Sequence, residues 1–387
     1  MVDSANFKPK ESDMTLRYIN TLLGLFCTFS LTAAPEASLR FGFSGSLSGH
    51  FGSYGTMICR GIQAAFKSHP CTLQGEKIHA QLTCFDDYGD AAATKKNILA
   101  MHKKGINCFI GVMGSRGVLS VLPLIEKQAI SMFFPWGTDS KLQNPKLKNI
   151  INALGLMNPQ IDHLVDTIVE KKKLDNIAIF HADDNFSTAA ATYCVQQLTK
   201  YNSAPLLVTR YNRYTLDLTK SLTTICNSDP RVIICISSNM PAVKIINLLF
   251  RKGFYGCSFY GIDSTFLVPS ILATKGAPFS YTSTVPHPLL SSIPLSKAYR
   301  QDLARFFPDE TPSILSFAYY ICGRLIVEAI NNQQSCNPQA ILTALESIKN
   351  HNFYGFPINF NTKNRYLFGH QTWLLEEGSH HGNNQKN

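Results

Sequence analysis

Side chains able to hold a small charged molecule gather at a few points of this chain. Ser115 stands in GVMGSRG, Trp136, Gly137 and Thr138 in FPWGTD, and Asp263 closes GID. Two hydroxyls, each beside a glycine near a helix start, suit one anion, because backbone N–H groups and hydroxyl donors can converge on it. A carboxylate fits that place, and Asp263 offers the opposite sign to an ammonium group. Signatures of turnover are missing: the sequence has no G-x-S-x-G, no G-x-x-x-x-G-K-[ST], no H-E-x-x-H, and no G-x-G-x-x-G in its first strand–helix turn. The acidic pairs Asp86–Asp87 and Asp183–Asp184 end strands, where neighbouring side chains point to opposite faces. They read as strand-end and helix-capping acids rather than acid–base dyads. His380 and His381 lie in a polar tail and have no metal role. No metal and no cofactor are expected, and the chain reads as a binding protein, with an enzyme on the same scaffold as the alternative class.

The surrounding elements must position these groups. From residue 39, short β-branched and aromatic runs alternate with amphipathic stretches. LRFGFSGSL precedes TMICRGIQAAFKS, IHAQLTCFDD precedes AAATKKNILAMHKK, and INCFIGVMG precedes VLSVLPLIEKQ, before ISMFFPW and IINALGLM. A second series runs from NIAIFHADD through RVIICISS to CSFYGID. Such alternation predicts parallel sheets covered on both faces, and two series predict an α/β chain of two doubly wound parallel-sheet lobes. The polar clusters fall where strands end, the side on which open α/β sheets bind ligands.

The 387 residues are 45% hydrophobic and 16% charged, ordinary for two folded domains with separate cores. A net charge of +10 favours anionic surroundings, but the basic residues are scattered. With no run of five or more, no nucleic-acid partner is expected. Lys8, Lys10 and Arg17 precede an apolar run, Ile19 to Ala34, that ends in TAAPEAS. Residues 1–37 therefore read as a signal peptide for export, its apolar run shorter than the roughly 20 residues of a membrane span. A retained membrane anchor is the alternative. Setting Cys27 aside with the leader leaves ten of the 11 cysteines. An even number permits disulfides in an exported chain, yet most lie in apolar patterns where a buried free thiol is expected. No C-x-x-C speaks for zinc or redox chemistry.

The order of these pieces resembles the leucine/isoleucine/valine-binding proteins, type I periplasmic substrate-binding proteins of ABC transporters, over nearly all of residues 39 to 378. SGSLSGHFGSYGTMICRGIQAA, FDDYGD, GINCFIGVMGS, FPWGTDSKL, IAIFHADDNF, SSNMPAVKIINLLFRKGF and FYGID stand in that family's order and spacing. The resemblance implies a Venus-flytrap: two lobes joined by three hinge crossings and closing on a small ligand. Crossings near Gly155, Val285 and Phe356 give an N-terminal lobe of 39–155 and 286–355. The C-terminal lobe takes 156–285 and 356–378, with 379–387 as the tail. It also implies a monomer that captures an amino acid or small amide-like ligand and delivers it to an ABC transporter permease. A ligand-sensing flytrap, of the kind that binds amides or urea, is the variant a retained anchor would favour.

By the same resemblance, Ser115 and Thr138, beside Gly137, take the ligand's α-carboxylate. Asp263, one methylene shorter than the glutamate of leucine-type relatives, takes its ammonium. Tyr54 lies over the first-lobe cleft and Met113 lines the apolar pocket. Phe186 and Asn239 stand where those relatives carry tyrosines. Trp136 occupies a usually small position whose backbone carbonyl is expected to face the ammonium. Its indole would reshape the pocket, excluding leucine or stacking on a planar ligand. The relatives' first-lobe disulfide falls at Gly89 and Gly114 here, both cysteines absent together.

Overall fold

The computed structural model describes residues 39–137, 139–154, 157–215, 217–265, 277, 279–360, 363, 365–368 and 371–377. The leader, Thr138, Gly155 and the polar tail lie outside the described residues.

Strand β1 (Leu39–Gly45) leads into helix α1 (Gly52–Ser68). A hairpin of β2 (Cys71–Leu73) and β3 (Glu76–Ile78) precedes β4 (Ala80–Asp86) and α2 (Ala91–Lys103). The first series ends with β5 (Cys108–Ile110), short helices α3 (Ser115–Leu119) and α4 (Leu122–Glu126), β6 (Ser131–Phe133) and β7 (Ile150–Leu154). The second opens on α5 (Asn158–Val165), β8 (Ile177–Ala182), α6 (Asn185–Lys200), β9 (Leu207–Tyr211) and α7 (Thr219–Ser228). It continues through β10 (Val232–Ile236), α8 (Asn239–Arg251), β11 (Ser258–Ile262) and β12 (Phe279–Ser283). Helices α9 (Pro294–Phe306), α10 (Ile314–Gln333) and α11 (Pro338–Glu346) follow. The hairpin β13 (His351–Phe353) and β14 (Phe356–Ile358), then β15 (Tyr366–Phe368) and β16 (Trp373–Glu377), end the described chain.

Strands β8 and β10 are buried at every residue, as central strands covered by helices on both faces must be. The sheets run β15-β7-β6-β5-β1-β4 and β16-β12-β11-β10-β8-β9. In each, the second strand of the series lies on one side of the first and the third on the other. This reversal opens a crevice at the strand ends between β1 and β5, and between β8 and β10. Among the described residues, helix α10 is long and apolar enough to cross a membrane, but it is buried in the first lobe, where it packs on α1.

Two features differ from the sequence reading. The sixth strands are unlike: β15 adds parallel to β7, whereas β16 adds antiparallel to β12. The third crossing also does not fall near Phe356, which pairs back on Phe353 in the β13–β14 hairpin. The chain leaves the first sheet only after Phe368, because Arg365 anchors this segment. Its buried side chain donates to the Ile150 and Lys148 carbonyls at 2.9 and 3.0 Å and pairs with Glu346.

Candidate functional site: a cleft at the strand ends of both sheets

A cavity of about 1110 Å³ opens at these strand ends. Tyr54, Met113, Ser115, Trp136 and Gly137 line it from the first lobe, and Phe186 and Asp263 from the second. The structure thus brings seven of the nine candidate residues around one space. Thr138 is outside the described residues, and Asn239 is not on the cavity wall. No group of three or more His, Cys, Asp or Glu able to hold a metal occurs among the described residues.

The first-lobe wall is built by its loops. Asp86 accepts from the Leu47 N–H at 3.0 Å and from Ser48 Oγ at 2.6 Å; Asp87 accepts from Ser44 Oγ at 3.0 Å and Thr94 Oγ1 at 2.8 Å. These acids fold the turn after β1, leaving no dyad. Helix α1 starts tight against that turn, with Gly55 where any Cβ would strike the Ser46 carbonyl, and so sets Tyr54 over the cleft. Beyond β6 the chain turns at Phe134, whose φ of 52° is a left-handed conformation that a phenylalanine keeps only when its surroundings hold it. Its N–H donates to the Ile151 carbonyl at 2.6 Å, and its carbonyl accepts the Tyr319 hydroxyl at 3.0 Å.

Strand pairing then extends one step past β5 and β6, as Met113 and Trp136 form a parallel bridge. The Trp136 N–H donates to the Val112 carbonyl, and the Trp136 carbonyl accepts from the Gly114 N–H, both at 2.9 Å. The carbonyl expected to face an ammonium is therefore engaged within the wall. The indole meets Tyr54 edge-on, ring centres 5.7 Å apart. A Cβ at Gly137 would lie 2.9 Å from Ser115 Oγ and 3.1 Å from the Ser115 backbone, so glycine lets the two loops pass. Ser115 Oγ accepts from the Asp139 N–H at 3.3 Å.

Charge dominates the second-lobe wall. Asp263, 5% exposed, follows β11. It accepts from Thr284 Oγ1 at 3.2 Å while its own N–H donates to Gln160 Oε1 at 3.0 Å. Burial pushes its carboxyl up to about 6, against hydrogen bonds from Gln160, Thr284 and the Ser264 backbone. Asp184 caps α6 by accepting from the Ser187 N–H at 2.8 Å and meets Arg213 at 3.3 Å. The Arg213 N–H in turn donates to Asp183 at 3.0 Å. Sequence reasoning missed Arg213, because its place beside the acidic pair depends on β9 lying next to β8.

Two contacts bridge the walls. The Arg213 guanidinium lies 5.8 Å from the centre of the Phe51 ring. The Tyr54 hydroxyl, pushed up by burial, accepts from the backbone N–H of Asn239. Asn239 begins α8, so it offers a first-turn N–H that the helix does not use. Asn239 thus contributes a backbone contact between the lobes.

A model of the periplasmic binding protein family matches residues 38–376. The chain belongs to that family. A periplasmic binding protein binds rather than turns over its ligand, and membership implies an extracytoplasmic location. No curated protein matches the chain. Among solved structures, a possible leucine/isoleucine/valine-binding protein from Rhodopirellula baltica SH 1 is 22% identical with a TM-score of 0.75, covering 88% of this chain and 95% of that one. The leucine binding protein LivK from Thermotoga maritima MSB8 is 18% identical with a TM-score of 0.70, over 84% and 92%. A solute binding protein of an ABC transporter from Rhodopseudomonas palustris BisB5, in complex with 3,4-dihydroxy benzoic acid, is 14% identical with a TM-score of 0.76, over 87% and 92%. At these identities the shared property is the fold, two parallel-sheet α/β lobes joined by crossings.

Proposed function

We propose that this periplasmic binding protein captures an amino acid or a small amide-like ligand in the cleft and delivers it to an ABC transporter permease. Asp263 carries the reading. A carboxylate buried among neutral hydrogen-bond donors is costly, and a ligand ammonium would supply an opposite charge at short range. On the first-lobe wall, Ser115 and the Gly137 backbone take the α-carboxylate. Trp136, Tyr54 and Phe186 give the side chain a ring-lined pocket that suits a planar group better than a branched aliphatic one. Closure divides the contacts between lobes, which lets a permease distinguish loaded from empty protein.

The test is mass spectrometry of small molecules released from gently purified protein, followed by calorimetry with the molecule found. If Asp263→Ala and Ser115→Ala both bind it unchanged, the assigned site is wrong. A second reading, an aromatic carboxylic acid, is favoured by the same rings and by the dihydroxybenzoate in one solved relative. Asp263→Asn separates the two: an amino acid loses affinity, whereas an aromatic acid keeps or gains it.

A further inference from the structure

Cys59 lies in α1 and Cys84 in β4, the edge strand of the first sheet, and their Sγ atoms are 2.8 Å apart. Among the described residues no other cysteine pair makes a sulfur–sulfur contact, and both groups are thiols in the structure. Closing 2.8 Å to the about 2.05 Å of a disulfide takes less than ~1 Å of sulfur movement. Cys59 is buried while Cys84 is half-buried, so a reachable sulfur has a shielded one directly behind it. We propose that Cys59 and Cys84 are joined by a disulfide that fastens α1 to β4 once the protein stands in an oxidising extracytoplasmic compartment.

The oxidant is an external disulfide, either a small molecule or an oxidoreductase. The Cys84 thiolate attacks one of its sulfurs, forming a mixed disulfide and expelling the first external thiolate. Cys59 then gives up its proton and attacks the Cys84 sulfur, expelling the second. Two protein thiols and one external disulfide become one protein disulfide and two external thiols, which carry away both protons. Burial and the adjacent Cys84 thiol push the Cys59 thiol up, in keeping with its following rather than leading.

The bond would reinforce the first-lobe wall from behind. Helix α1 carries Tyr54, and β4 ends at Asp86, which holds Leu47 and Ser48 in the loop from β1 into α1. The linked residues are 25 apart in sequence, enough for a crosslink to restrict the unfolded chain substantially. This pair is separate from positions 89 and 114, where leucine-type relatives place theirs.

The full chain, equilibrated with oxidised glutathione, acid-quenched, alkylated and digested without reduction, is expected to yield a Cys59–Cys84 peptide pair two hydrogens lighter than its parts. Alkylated Cys59 and Cys84 in that sample, or either one joined to a different cysteine, overturns the proposal. Dithiothreitol is expected to lower the Tm of the oxidised wild type by several degrees and to leave Cys84→Ser unchanged. An equal drop in Cys84→Ser overturns it as well.

Discussion

The two sheets share one strand order yet furnish the cleft with different chemistry. The first lobe presents rings, hydroxyls and glycines, with Arg116 and Asp139 beside them, its loops after β5 and β6 fixed by backbone pairing. The second presents Asp183, Asp184, Arg213 and the buried Asp263. Topology decides where a ligand can sit, because both strand-order reversals open toward the same cavity. The few residues after each strand decide what sits there, the first lobe giving most of the rings and the second the buried carboxylate.

Asp263→Ala is the strongest test of that division. Truncating the buried partner of a ligand charge costs about 2–5 kcal/mol, so affinity for an ammonium ligand should fall at least ~30-fold by calorimetry. The empty protein should melt higher, since a desolvated carboxylate is gone. A matching loss in Ser115→Ala would break the assignment of the dominant charge contact to Asp263.

Titration sharpens the same point. The folded, empty protein holds the Asp263 proton up to about 6, from an ordinary 3.8, so between those values it binds more protons than the unfolded chain. Its stability therefore falls as pH rises from about 4 through 6, by up to about 3 kcal/mol from this group. Ammonium binding runs the other way, weakening about tenfold per unit below pH 6. Melting and binding curves across pH 4.5 to 8 should show the opposed slopes, and Asp263→Asn should flatten both.

On the first lobe, Gly137→Ala should cost about 1–3 kcal/mol in denaturant melts and weaken binding by displacing Ser115. Trp136→Ala should lose about tenfold for a planar ligand while admitting leucine, read in a competition assay. The smallest effect belongs to Tyr54→Phe, which removes the hydroxyl that accepts the Asn239 N–H. About 1 kcal/mol of closure should go with it, visible as a larger radius of the empty protein in solution scattering.

Much of this arrangement was legible in the sequence. Runs such as IAIFHA and VIICI could only be buried strands, and the hydroxyl and glycine clusters stood at strand ends where ligand loops belong. Three-residue β15 was not legible, since so short a run has no periodicity and its sheet is chosen by Arg365 reaching the Ile150 and Lys148 carbonyls. Arg213 depends on which strands are neighbours, and the Tyr54–Asn239 contact uses a backbone donor that no side-chain pattern announces. The pairing of the Trp136 carbonyl with the Gly114 N–H was hidden for the same reason: strand pairing past β6 is a property of two loops together.

The turn at Phe134 has a bearing on how this receptor can change. Its course is dictated from beneath by Ile151 and Tyr319, not by the indole two residues later. The side chain at 136 is thereby uncoupled from the path that delivers it. The outline of the cavity can drift under selection through exchanges at that single position, while the lobe's interior goes on being inherited unaltered.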